Sequence, residues 1–369
     1  MTEQKFKVPT GIVVTQNHFE IPCYGPGSLR TPLRRVGGHP ELVTLAQPTR
    51  GGSETVLTIP DALGINGDTQ IGFSRASRIM QAGRNSFSAN SQLDGCGFCG
   101  HIPARGGSKV LQTDNSRPFG PLVHKVIFSK EHIEHLKDVG FDEIRQATEL
   151  FFEISAKTYA DLGDSFDGLG IGMNFGEYSR CGASQAHFHY QVVGLGKANY
   201  NPGDRLGGLC QAYKRSHNDA DYLSDYETAL RCADLIVTET DDGLALAYTP
   251  ISPRVKGEVQ ILLRHRGCGR QAGNILETTI EERDALSRLQ HDIIHRFAQL
   301  GCEALNQVWY MTRFSAINHW DQRLIVSLCP RTAVFAFYEL FGNSVIDTAP
   351  WRSALALRLR NPSHCSLRQ

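Results

Sequence analysis

The spacing of apolar and polar positions changes character near residue 90. Residues 1–90 are rich in Gly, Pro, Ser and Arg, and short β-like runs at 11–15 and 56–59 sit between turn signals. That pattern predicts an irregular region with a few strands, packed on the main body. From Cys96 the pattern is regular. Residues 123–129 are dense in β-branched and aromatic side chains and predict a strand. Residues 142–162 bring Ile144, Leu150, Phe151, Ile154 and Tyr159 near one face of a helix, with Gly163 as its C-cap. Residues 169–174 and 186–193 predict two further strands, the second carrying His187, His189 and Gln191 at period two.

The same order then recurs. Residues 258–263 predict a strand. Residues 279–300 predict a helix that opens on the capping-box pair Thr279 and Glu282 and ends before Gly301. Strands at 307–311 and 323–328 follow. Gly163 and Gly301 lie 138 residues apart, and that offset carries His187 and His189 onto Ile325 and Ser327. The expected architecture is a duplicated strand-helix-strand-strand unit, with halves at 91–200 and 201–369 and the histidine pair kept only in the first.

Composition narrows the partners. With 369 residues, 41% of them hydrophobic and 21% charged, the chain reads as soluble and globular, long enough for one large domain or two ordinary ones. Lys+Arg and Asp+Glu are both 38, so nothing electrostatic draws it to nucleic acid or to an anionic membrane, and small molecules are the expected partners. Residues 1–10 lack the apolar core of a signal peptide, and no apolar run is long enough to span a bilayer. A cytoplasmic location is expected, and the ten cysteines are read as thiols, some of them metal ligands, rather than as a disulfide framework.

The chemistry concentrates in two places. In Asn174 to Gln191 (NFGEYSRCGASQAHFHYQ) a Gly-Ala-Ser turn precedes the His-x-His-x-Gln strand. A neutral imidazole can attack phosphorus and later leave, dividing one difficult transfer into two easier ones. Its other ring nitrogen should donate to a carbonyl, which fixes the tautomer. Gln191 can donate to a phosphoryl oxygen, and Ser184 with the backbone of the Gly182 turn can hold a leaving phosphate. A His-x-His strand also occurs as a satisfied structural pair or a metal site. The second place is the Cys96-x-x-Cys99 knuckle, which alone is compatible with two core thiols or with a metal; no thioredoxin-like context supports a redox pair.

GASQAHFHYQ resembles the active-site segment of the galactose-1-phosphate uridylyltransferase branch of the histidine-triad superfamily, whose signature is Gly-x-Ser-x-x-His-x-His-x-Gln. The resemblance extends from about Cys96 to Arg358. It implies an α+β, HIT-like fold of two related halves, with antiparallel sheet and packed helices. It also implies His189 as nucleophile, Gln191 stabilising the nucleotidylated intermediate, and Ser184 and Asn174 on phosphate. In that family a CxxC, a His after a Phe-Ser-x-x-His strand end and the first His of the pair hold zinc. Here those places are Cys96, Cys99, His132 and His187, with His124 and His135 as nearby competitors for the third. Asn115, in the loop before Pro118, loosely matches a nucleotide-binding loop. Tyr338 and Glu339 match a pair that contacts sugar, and His319-Trp320 precedes the last core strand. Departures are Ile325 and Ser327 in place of a second metal-binding His-x-His, Ala333 and Val345 where polar sugar contacts are expected, and the whole of residues 1–90.

The expected activity is ping-pong transfer of a nucleoside monophosphate from a nucleotide donor, a nucleoside-diphosphate sugar, to a phosphorylated acceptor, by a homodimer with structural Zn2+. Diadenosine tetraphosphate phosphorylases share much of the segment, so a dinucleoside polyphosphate phosphorylase using inorganic phosphate is the alternative. A non-catalytic, zinc-stabilised nucleotide-binding protein is the third reading.

Overall fold

The computed structural model describes the backbone of the strands between residues 6 and 71. Beyond these it describes 96–99, 104–115, 123–166, 168–176, 181, 183, 185, 187–195, 202–267, 271–315, 322–331, 344–346, 348 and 350–360. Near the N-terminus β1 (Phe6–Lys7), β2 (Val13–Thr15) and β3 (His18–Phe19) form a three-stranded antiparallel sheet. Then β4 (Val43–Thr49), β5 (Gly52–Ile59) and β6 (Thr69–Ile71) pair in sequence. The expected run at 56–59 falls inside β5, and the last three residues of the run at 11–15 form β2. The strand Ser344–Ile346 adds to β6 in parallel, so the end of the chain closes a four-stranded sheet begun near its start.

The remaining elements run β7 (Arg105–Gly106), β8 (Val110–Asp114), β9 (His124–Ser129), α1 (Phe141–Leu162), β10 (Gly168–Phe175), β11 (His189–Leu195), α2 (Pro202–Ser216), α3 (Tyr222–Cys232), β12 (Ile236–Glu239), β13 (Ala245–Tyr248), β14 (Val259–Leu263), α4 (Ile280–Gln299), β15 (Leu305–Tyr310), β16 (Ile325–Pro330), β17 (Ser344–Ile346) and α5 (Pro350–Arg358). Ten strands form one antiparallel sheet in the order β12-β13-β14-β16-β15-β10-β11-β9-β8-β7. From either edge the order is the same: three consecutive strands, then the fifth, then the fourth, with β10 meeting β15 at the centre. A long helix follows the third strand in each half. The fold is therefore α+β, built from two related halves.

Alternation along the strands separates the two faces. Tyr190, Val192, Met173, Val326 and Leu328 face α1 and α4 in one core. Phe151 of α1 meets Tyr190 and Trp309 edge-on, with ring centroids 5.0 and 5.4 Å away. The start of α4 is set by its sequence: Thr279 accepts from Glu282 N–H, and the Glu282 carboxylate accepts from Thr279 N–H. Arg283 of α4 reaches Glu149 of α1 at 2.9 Å, and the Ser287 and Thr148 hydroxyls meet at 3.2 Å. On the other face of the second half, Tyr213, Tyr222 and Tyr226 of α2 and α3 pack with Tyr248, Leu262, Tyr310 and Ile325. In the first half that face carries His189 and Gln191. Among the described residues, no helix is long and apolar enough to cross a membrane.

Candidate active site

The β9–β11 ladder sets the site. His189 pairs with Phe128, Gln191 with Val126 and Val193 with His124, so these six side chains share a face. The sequence pattern predicted one strand over 186–193 with both histidines on it. The structure begins β11 at His189 instead. The residues before it are held by other bonds: Ser129 N–H donates to the Phe188 carbonyl at 3.0 Å, and Phe188 N–H to Ile133 at 2.9 Å. The two histidines thereby turn to different tasks. His187 Nε2 lies 2.8 Å from the Ser129 carbonyl, which places its proton there and leaves Nδ1 as a donor to a cation.

That Nδ1 faces Cys96 Sγ at 3.3 Å, Cys99 Sγ at 3.6 Å and His132 Nδ1 at 3.1 Å. Cys99 Sγ and His132 Nδ1 are 3.1 Å apart, and all four donor atoms lie within 4.8 Å of one another. A tetrahedral cation with metal–sulfur bonds of about 2.3 Å and metal–nitrogen bonds of about 2.1 Å spaces its ligands by about 3.3–3.8 Å, so the cluster can hold a metal. His132 Nε2 lies 2.7 Å from the Glu134 carboxylate, the outer contact that orients a ligating imidazole. With no cation present, desolvation and the adjacent Cys96 push the Cys99 thiol up to about 11; a bound cation reverses that by taking the thiolate. Of the two competitors, His135 is exposed at the head of a short 3-10 turn, and His124 faces Gln191.

His189 is 2% exposed, and its Nδ1 lies 2.7 Å from the His187 carbonyl. The proton therefore sits on Nδ1 and the Nε2 lone pair is left to attack. Burial holds this imidazole below its ordinary pKa, partly offset by that carbonyl, so the neutral form persists. Phe98, in the middle of the cysteine knuckle, stacks on Phe128 at 4.9 Å and lies 5.0 Å from the His189 ring. The Cys–His cluster and His189 thus share a wall. Gln185 ties the two segments as well, accepting from Gly97 N–H at 3.0 Å.

Two amides flank the histidine. Asn174 follows Met173, which pairs with Tyr190, and so stands on the His189 face. Its Oδ1 accepts from Asn306 Nδ2 at 2.6 Å, and the same Asn306 nitrogen donates to the Cys181 carbonyl at 2.8 Å. Gln191 Oε1 lies 3.1 Å from His124 Nε2, and Asn115 Nδ2 lies 3.0 Å from that nitrogen. On this face His189 and Asn174 lie at the start of β11, and Gln191, then His124 with Asn115, follow along it. Ser184, Gly182, Tyr338, Glu339, Ala333, His319 and Trp320 lie outside the described residues, as does the side chain of Val345. Ile325 and Ser327 are buried in β16; the Ser327 hydroxyl donates to Glu258 at 2.6 Å and accepts from Arg254 at 2.7 Å.

Sequence reasoning missed Phe98, His124 and Asn306. A period-two reading of 123–129 put His124 on a strand but gave no register against β11. Asn306 is 132 residues from its partner Asn174, so only the pairing of β10 with β15 reveals it.

No family model matches the chain, and no curated protein does. Among solved structures it is similar to a GalT-like protein from Arabidopsis thaliana, at 13% identity and TM-score 0.63, over 83% of this chain and 99% of that one. An ADP-glucose phosphorylase from Arabidopsis thaliana with bound ADP-glucose matches at 14% identity and TM-score 0.63, over 82% and 98%. A uridylyltransferase matches at 17% identity and TM-score 0.60, over 76% and 96%. The chain has the fold of these structures, the α+β, HIT-like fold expected from the sequence.

Proposed function

We propose that the protein is a nucleotidyltransferase that carries a nucleoside monophosphate on His189 Nε2. The observation that carries this reading is the buried His189 ring with its Nδ1 proton committed to the His187 carbonyl. In the first step Nε2 attacks the α-phosphorus of a nucleoside-diphosphate sugar. The N–P bond forms, the bond to the bridging oxygen breaks, and the sugar phosphate departs with that electron pair. Positive charge on the phosphorylated ring is stabilised through Nδ1–H on the carbonyl. In the second step a phosphate oxygen of the acceptor attacks the same phosphorus and His189 leaves neutral. The amide protons of Gln191 and Asn174 suit phosphoryl oxygens, and Ser184 and the Gly182 backbone suit the leaving phosphate. Asn115 is assigned to the nucleotide, and Tyr338 and Glu339 to the sugar.

Two thiolates and two imidazoles suit zinc among the common cations. Held by Cys96, Cys99, His132 and His187, zinc supplies rigidity to the segment whose carbonyl orients His189. On this reading 91–200 is the catalytic half, 201–369 supports it, 1–90 packs on both, and the enzyme is a cytoplasmic homodimer.

A second reading keeps the nucleophile and delivers the nucleotide to inorganic phosphate, from a dinucleoside polyphosphate or a nucleotide sugar. The likeness to an ADP-glucose phosphorylase favours retaining it. Intact mass after incubation with UDP-glucose, ADP-glucose and diadenosine tetraphosphate tests both. An acid-labile adduct of one nucleoside monophosphate is expected, absent in His189→Gly with bound metal unchanged, and its mass names the base. Discharge by hexose 1-phosphate supports the transferase, and discharge by inorganic phosphate the phosphorylase. No adduct from any donor overturns both and leaves a zinc-stabilised binding protein.

A further inference from the structure

We propose that His124 is a positioning residue that holds the amide of Gln191 with its NH2 group turned to the phosphoryl group and ties the nucleotide-binding Asn115 to the same nitrogen. The inference rests on the transferase reading above for the meaning of Gln191, but its geometry is independent of it.

His124 opens β9 opposite Val193 and is 4% exposed. Its side chain rises on the same face as Gln191, one row along the sheet. A single ring nitrogen, Nε2, lies between two amides: 3.1 Å from Gln191 Oε1 and 3.0 Å from Asn115 Nδ2. The main chain closes the arrangement, with Asn115 N–H donating to the His124 carbonyl at 2.9 Å. Asn115 is thus held to His124 at two points, at the end of β8.

A neutral imidazole has one N–H, and burial keeps His124 neutral. With the proton on Nε2, it donates to Gln191 Oε1. The Gln191 oxygen is then committed and both amide protons face away from His124, where they can meet a phosphoryl oxygen. In this form the Asn115 amide meets Nε2 through its oxygen, the reverse of the placement with Nδ2 at 3.0 Å. With the proton on Nδ1, Nε2 becomes an acceptor. Asn115 donates to it, and the Gln191 oxygen, deprived of its donor, is free to face phosphate, which repels it. One proton position therefore sets two amides at once.

The test uses the full chain with ring-15N histidine and two variants, His124→Gln, which keeps a donor at similar reach, and His124→Leu, which keeps only volume. Long-range 1H–15N correlation at neutral pH reads the tautomer, the His124 signals being those missing from His124→Gln. A proton on Nε2 is expected, and a proton on Nδ1 overturns the proposal whether or not any donor labels His189. Where labelling occurs, His124→Leu should slow single-turnover adduct formation by about 10- to 100-fold, the range for a misaligned donor. His124→Gln should recover most of that loss. In a Gln191→Ala background the leucine variant should cost nothing more. A rate within twofold of wild type for His124→Leu, or a full additional loss on top of Gln191→Ala, refutes it. Failure of every donor to label the wild type, with the Nε2–H tautomer present, sinks the transferase reading and leaves the arrangement of amides standing.

Discussion

Replacing Asn306 by Asp separates orientation from stability. The side chain keeps its size and loses the nitrogen that donates to Asn174 Oδ1 at 2.6 Å and to the Cys181 carbonyl at 2.8 Å. Two acceptors would then face a carboxylate. Asn174 can relieve its half of the conflict by rotating, so that its NH2 donates to the new carboxylate. The Cys181 carbonyl has no such remedy. With each bond worth about 0.5–1.5 kcal/mol and one of the two regained, stability should fall by about 0.5–1.5 kcal/mol. The effect on rate is larger, because the rotated Asn174 presents oxygen where it had presented donors. Loss of one oriented donor costs about 10²–10³-fold, or about 2.7–4 kcal/mol. Rapid-quench measurement of His189 labelling at saturating donor reads the rate, and a urea midpoint reads the stability. Asn306→Ala, which frees the Asn174 amide without reversing it, should fall between wild type and Asn306→Asp. Labelling by Asn306→Asp within twofold of wild type, about 0.4 kcal/mol, would refute the orientation argument. So would an alanine variant slower than the aspartate one.

Two further outcomes follow from the geometry. Stripping the metal with a chelator, or Cys99→Ser, should release the 96–99 knuckle from the ends of β9 and β11 and abolish labelling; elemental analysis should show the metal gone, while far-UV circular dichroism keeps the sheet signal, and global loss of that signal would show that the cluster holds the fold. Gly176→Ala should cost about 2–5 kcal/mol by urea unfolding, combining a backbone at φ 107° with a Cβ placed 2.6 Å from the Glu303 carbonyl oxygen, each worth about 1–3 kcal/mol, and a loss below about 0.5 kcal/mol would contradict it.

What the sequence made legible was whatever is encoded locally. The capping pair at Thr279 and Glu282 and the apolar spacing after Asp142 define α4 and α1 to within a residue, because both signals lie inside the element. The four residues of the candidate metal cluster are short patterns too, a CxxC knuckle and two histidines beside strand ends, which the family resemblance joined into one set. The helices α2 and α3 were not foreseen. Gly207 and Gly208 interrupt the first, and the second is short, although Asp221, whose carboxylate accepts from Leu223 and Ser224 N–H, is an N-cap that could have marked it. The family resemblance implies different roles for His187 and His189, but the cause of the turn between the two rings was not foreseen. That cause is the pair of backbone bonds at Phe188, which ends the ladder one residue before His189. His124 and Asn306 carry no local signal, since each gains its place from strand register alone.

On the proposed reading, register also explains why one half would carry the chemistry. Asn174 pairs with Asn306, and Asn306 with Cys329, so a row runs from the His189 side of the sheet into the second half. Among the described residues, no partner is seen in the first half for His189 Nε2 or for the amide protons of Asn174 and Gln191 on this face. In the second half the polar groups around Ser327 are matched to one another. Glu258, fully buried, accepts from Arg254, from the Ser327 hydroxyl and from the Gln260 amide. Arg254 also reaches Cys329, whose thiol burial pushes up to about 11. A buried carboxylate costs several kcal/mol unless its lone pairs are matched, and here they are, so this network is held by its own closure. Breaking it by substitution would leave a buried charge unmatched, which suits the supporting role proposed for the second half. Asn306 on that face reaches across the central seam, its nitrogen donating to Asn174 and to the Cys181 carbonyl, and on the proposed reading that side chain lets the second half set the geometry of the first.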